Sequence, residues 1–346
     1  MNRATVLASA TLLLMGGARA ASADANADIE RGRQLVEARC AACHDLAPSG
    51  AVSVLDRFDS DGPVLYYAGS KFRPGWLEAW LKAPERIRPA GYLPFRYTVA
   101  TEDGDRIDET LIPEHLRLSP EEAHEAAAFL ATLVQPVNPY PTTEAKASLR
   151  PAVHFEKILP CGACHQDRPG VGGLSGPELY RARERLERSW TLAFVEDPPY
   201  WGPKPMPKVN VRGDLLTALG DFLFSDEEAT TGEAPQLGSL ALTGDGAPRQ
   251  AADPGERIYL MLCSQCHGVS GNGRGINSAS MFIAPRNHTS FEEMAVLSDD
   301  HLFSTIKRGG TSVGKSALMP AWGGVLSDDE IHLVMTHLRR LSGTGS

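Results

Sequence analysis

All six cysteines of this chain stand in three copies of one pattern: Cys40-Ala-Ala-Cys43-His44, Cys161-Gly-Ala-Cys164-His165 and Cys263-Ser-Gln-Cys266-His267. No other feature limits the fold so strongly, because each pair sits on one helical turn and each is followed at once by a histidine. A bridge inside C-x-x-C closes a very small loop and staples nothing distant, and it gives the histidine no reason to be there. A thioredoxin-like redox pair would be one site in a βαβ setting. Structural zinc takes four ligands, so two pairs could share one ion while the third stood idle. Covalent heme uses every residue. The two thiols form thioethers to the vinyl groups of one porphyrin, and the adjacent histidine reaches the iron.

The rest of the chain fits export. "MNR" is a short basic start, "ATVLASATLLLMGG" is an apolar run too short to span a bilayer, and Ala18–Ala20 and Ala21–Ala23 are small-x-small cleavage sites. Residues 1–23 are therefore expected to be a signal peptide, cut after Ala20 or Ala23, with the mature chain periplasmic and without a transmembrane segment. The formal net charge is −9, and removal of Arg3 and Arg19 makes it more negative. Such a chain is a poor match for nucleic acid, whose phosphates need a basic surface.

Each motif opens a similar stretch of sequence. The third, 252–346, runs from "GERIYLMLCSQCHG" through "APRN" to "SDDHLFSTIKRGG", a helix with Ser298 as N-cap and glycine past its end. It closes with "LMPAWGGVLSDDEIHLVMTHLRRL", where Ser327 and Glu330 read as a capping box. The second, 151–224, carries "PAVHFEKILPCGACHQ", "SGPELY", "KPMPKV" and the helix "GDLLTALGDFLFS". The first, 24–135, carries "RGRQLVEARCAACH", "PGWLEAWLKAP" and "SPEEAHEAAAFLATL". "PGWLEAWLKAP" aligns with "RSWTLAFVEDP", placing Trp76 on Trp190 and Trp80 on Phe194, so the repeat extends beyond the motifs. Residues 136–150 are a proline-rich linker, and 225–251 are a polar one.

On these motifs the chain resembles the class I c-type cytochromes, the mono- and diheme bacterial kind, three times over. The resemblance implies a mainly α fold of three tandem cytochrome c-like domains and three covalent heme c groups. It implies His44, His165 and His267 as proximal iron ligands, held by Cys40, Cys43, Cys161, Cys164, Cys263 and Cys266. It gives the proximal rings a proline carbonyl as hydrogen-bond acceptor, with Pro63, Pro177 and Pro285 in the matching places. In the family the methionine of a Met-Pro pair ahead of the last helix is the distal ligand, and Met319 and Met206 hold that place. A thioether ligand raises the reduction potential.

The first stretch departs from the family. No methionine lies between Met15 and Met206, and the two possible alignments place Leu93-Pro94 or Ile112-Pro113 where Met-Pro should be. An insert between Leu93 and the last helix contains His115. Three readings stay open: His115 completes a bis-histidine heme, the iron is open to a small ligand, or His124 or His154 reaches it. Tyr92 and Tyr97 read as walls of the heme site.

Electron transfer between a redox donor and acceptor is the favoured expectation, either as a free carrier or as the electron-transfer subunit of a dehydrogenase or membrane-associated respiratory complex. The alternative is a heme enzyme, of peroxidase or small-ligand reductase type, working at heme one. A heme-based sensor ranks last, since no signalling domain accompanies the motifs.

Overall fold

The computed structural model describes residues 24–48, 50, 53–141, 149–202, 205–225 and 251–345. Helices dominate it, and the strands among the described residues make two antiparallel hairpins, Thr98–Thr101 with Gly104–Ile107 and Gln166–Arg168 with Val171–Gly172. The expected signal peptide and nearly all of the 225–251 linker lie outside the described residues. No described helix is long and apolar enough to cross a membrane.

Contacts divide the chain into two units. One takes Met1–Ala47, Val64–Glu85 and His115–Pro136; the other takes Pro48–Pro63, Arg86–Glu114 and Val137–Ser346.

In the first unit, helix 24–39 leads into the Cys40 motif. Helices Trp76–Lys82 and Pro120–Thr132 complete its frame. Val36, Leu81, Leu118, Ala123, Ala126, Phe129 and Leu130 form its core. Ser119 and Glu122 close a capping box at the start of the last helix, and Pro120 occupies a first-turn position where its missing N–H costs nothing. The first and last helices cross at Gly32. A Cβ there would lie 1.9 Å from the Glu125 carbonyl oxygen, so only glycine lets the backbones approach this closely.

Among the described residues, two cores are seen in the second unit. Phe155, Leu192, Val211, Leu216 and Leu219 build one, with Tyr140 packed against it. Ile258, Tyr259, Leu260, Met261, Met294, Ile331, Val334 and Met335 build the other. Burying an aromatic or aliphatic side chain of this size stabilises by about 1.5–3 kcal/mol. Helix Asp328–Ser342 opens with the Ser327–Glu330 capping box, and helix Asp299–Arg308 has Ser298 as its N-cap and Gly309 just past its end. The crossing seen at Gly32 recurs here: a Cβ on Gly255 would lie 2.2 Å from the Leu333 carbonyl oxygen. Gly32 and Gly255 stand at the same interval before Cys40 and Cys263.

A contiguous first domain over 24–135 is not what the contacts draw. Val54, Phe58, Leu93 and Phe95 belong to the core built by the third stretch. The Thr98–Ile107 hairpin is tied there as well: Asp105 N–H donates to Arg274 O at 2.8 Å, and Val269 N–H donates to Asp105 Oδ2 at 2.7 Å. Residues 86–90 meet the second stretch, with Glu178 N–H donating to Ile87 O at 2.9 Å and Ala90 N–H to Leu174 O at 3.2 Å. The physical reason is local. Leu93 and Phe95 are each only 2% exposed in this core, and a hairpin with few apolar residues follows wherever they dock.

Candidate heme-attachment sites

The second motif is a short helix, Cys161–Cys164, entered from a π-helical turn, His154–Ile158. The third motif is entered the same way, from the π-turn Tyr259–Cys263. π-turns inside helices gather at functional sites; here one ends two residues short of helix Cys161–Cys164, and another ends on Cys263, directly before helix Ser264–His267. All six thiols are free, with no bridge inside any pair. Burial pushes the Cys161 thiol up to about 12, and the Cys263 thiol likewise to about 12. Cys40 is raised as well, by burial first.

His165 follows Cys164 with its N–H bonded to Cys161 O at 3.0 Å. Its Nδ1 lies 2.8 Å from the Pro177 carbonyl oxygen, which fixes Nδ1 as the protonated nitrogen and leaves Nε2 as the free donor. Burial pushes its pKa down to about 4, the Pro177 carbonyl opposing and Arg88 and Arg185 adding to the fall. A neutral imidazole is the form an iron needs. Gly176 makes room for the ring, since a Cβ at that position would lie 2.5 Å from His165 Nδ1. Met206 is half-buried, and Pro207 beside it is buried.

His267 departs from expectation in one detail. Its Nδ1 meets the carbonyl of Arg286, at 3.0 Å, and not that of Pro285. The Pro285 carbonyl is turned against Gly273, 2.6 Å from where a Cβ would stand, so the next carbonyl along the chain faces the ring. Burial lowers the His267 pKa. Met319 packs against the core of this stretch, its backbone held by Gly310 N–H donating to Met319 O at 3.0 Å. His288 stacks on His267 with ring centroids 4.2 Å apart and planes 16° from parallel. Its Nδ1 is buried without a hydrogen-bond partner among the described residues. Sequence reasoning passed over His288, although it follows three residues after Pro285.

At the first motif, Cys43 and His44 N–H groups both bond to Cys40 O, at 3.1 and 3.0 Å. His44 and His115 share the first unit, and their ring centroids lie 6.2 Å apart. Two imidazoles facing one metal through bonds of about 2 Å place their centroids roughly 6 Å apart. The Nδ1 of His115 lies 2.9 Å from Leu116 O, leaving Nε2 as its free nitrogen. Trp80 packs beside His115 at 4.6 Å. His124 is committed elsewhere, with Nδ1 3.1 Å from Glu78 and Nε2 3.7 Å from Asp28. Leu93 is buried in the second unit, to which Ile112 and His154 also belong.

The aligned aromatic pairs have matching geometry. Trp76 and Trp80 stack at 5.8 Å and 23°, and Trp190 and Phe194 at 5.1 Å and 23°.

Residues 250–338 match the family model described as cytochrome c oxidase, cbb3-type, subunit III. A class I c-type heme-binding domain therefore occupies this part of the chain. It implies at least one covalent heme c, redox partners and a part in electron transfer. No curated protein sequence and no solved structure matches the chain.

Proposed function

We propose that this protein is a periplasmic triheme cytochrome c that carries single electrons between a donor and an acceptor. The observation that carries the reading is the threefold C-x-x-C-H pattern. It uses every cysteine, and a family match on one copy supports it. At the second and third motifs the neutral histidines His165 and His267 would hold iron from one side, with Met206 and Met319 as the opposing ligands. At the first motif His44 would hold one side and His115 the other. The 6.2 Å ring separation and the engaged Nδ1 of His115 support that assignment. Thioether ligands favour the reduced iron, so hemes two and three would be the high-potential pair, and a bis-histidine heme one would lie lower.

The chemistry the hemes supply is one-electron exchange; the protein's part is attachment, orientation and burial. A second reading, small-ligand chemistry at heme one, is favoured by the exposure of His115 and Cys43.

Mass spectrometry of the exported protein tests the heme number. The expected mass is that of the chain from residue 21 or 24 onward with three hemes, and fewer adducts would refute the reading. His115→Ala tests the ligand: the low-spin spectrum of one heme is expected to turn high-spin and to bind cyanide. A wild-type heme one that is already high-spin would instead favour the enzyme.

A further inference from the structure

The second and third attachment motifs meet through one buried asparagine. Asn277 is fully buried. Its Oδ1 accepts from Leu174 N–H at 2.8 Å and Ser175 N–H at 3.3 Å. Its Nδ2 donates to Ser175 Oγ at 2.8 Å and points to Cys164 Sγ at 4.0 Å. Two acceptor sites and two donors are the whole capacity of an asparagine side chain; they reach the second stretch at Leu174, Ser175 and Cys164, and the same side chain also bonds Cys266 of the third.

Its backbone belongs to the third: Asn277 N–H donates to Gln265 O at 2.8 Å, inside the Cys263–Cys266 turn, and Gly275 N–H donates to Cys266 O at 3.0 Å. The arrangement is nearly reciprocal. The sequence interval from Cys164 to Cys266 equals that from Ser175 to Asn277, so equivalent residues of the two stretches face one another. Ser280 Oγ donates to Gly172 O at 2.8 Å beside this joint.

We infer that Asn277 clamps the Cys164 and Cys266 attachment edges together, so that hemes two and three form one closely coupled pair. The inference rests on the three-heme reading and adds which two hemes adjoin and what joins them. The clamp survives heme attachment, because a thioether sulfur still accepts weakly and the bonds of Asn277 to Leu174, Ser175 and Gln265 do not involve sulfur. Electron exchange within the pair is then governed by a rigid, buried joint.

The test follows the two methionine-ligated ferric EPR signals through a reductive titration of the holoprotein. In the wild type, reducing one heme of the pair is expected to slow the spin relaxation of the other several-fold. Relaxation that stays the same throughout would overturn the pair. Asn277→Asp keeps the acceptor and removes both donors; with three hemes still present by mass, it is expected to weaken that effect. An unchanged effect would overturn the role of Asn277. Absence of heme from Cys161 and Cys164, or from Cys263 and Cys266, would defeat the three-heme reading itself, and peptide mass mapping separates that failure from the others.

Discussion

At His165, one carbonyl and one absent side chain decide how the ring stands. The Pro177 carbonyl holds Nδ1, and the missing Cβ of Gly176 leaves the space the ring fills. Gly176→Val therefore forces the ring off the carbonyl. The expected cost is on the order of 1–3 kcal/mol in unfolding free energy, as for other overpacked sites; on the proposed reading, optical spectroscopy would also show loss of the Met206 ligation. The C-x-x-C-H motifs were legible in the sequence because covalent attachment, as proposed, allows no substitutes. The partner of His267 was not legible. Whether Pro285 or Arg286 turns its carbonyl to the ring depends on how the loop seats against Gly273, and no residue type announces that. His115 was legible only as a histidine in an insert; its approach to His44 is a product of packing against Trp80.

Helices meet at glycines. Helix propensity alone predicts that Gly32→Ala or Gly255→Ala stabilises, by about 1 kcal/mol. The crossing predicts the opposite sign, because each Cβ would collide with a carbonyl of the partner helix. A loss on the order of 1–3 kcal/mol by chemical denaturation is expected for each; a gain would mean that the helices do not cross there. The proline-rich stretch 136–150 also does more at its start than connect. Tyr140 packs on the second core and donates to the Glu196 carboxylate. Burial, then that bond, pushes its pKa up from 10 to about 12. A raised phenol contributes its stability in full below pH 10 and loses it as pH climbs through about 12. Tyr140→Phe is expected to flatten the alkaline decline of stability between those values, measured as unfolding midpoint against pH. The capping boxes and the Trp76 and Trp190 repeats were legible because their signals are local; the π-turns His154–Ile158 and Tyr259–Cys263 carry no residue signature.

On the scale of the whole molecule, the first stretch lends residues to a core that it does not own. Phe95 stacks on Phe58 at 5.0 Å within the core of Ile258, Tyr259 and Met335. Phe95→Ala is expected to cost about 3–5 kcal/mol. In hydrogen exchange the protection of helix Asp328–Ser342 should fall while that of helix Pro120–Thr132 persists. Equal loss in both would contradict the division into two units. Sequence spacing read three successive domains because it follows the order of the chain, whereas Leu93 and Phe95 obey burial. The central claim, three hemes of which two are methionine-ligated and one is bis-histidine, is tested most directly by low-temperature EPR of the oxidised holoprotein. Two low-spin signals of the histidine–methionine kind and one of the bis-histidine kind are the predicted result; a high-spin ferric signal, or fewer than three hemes by integration, would contradict it.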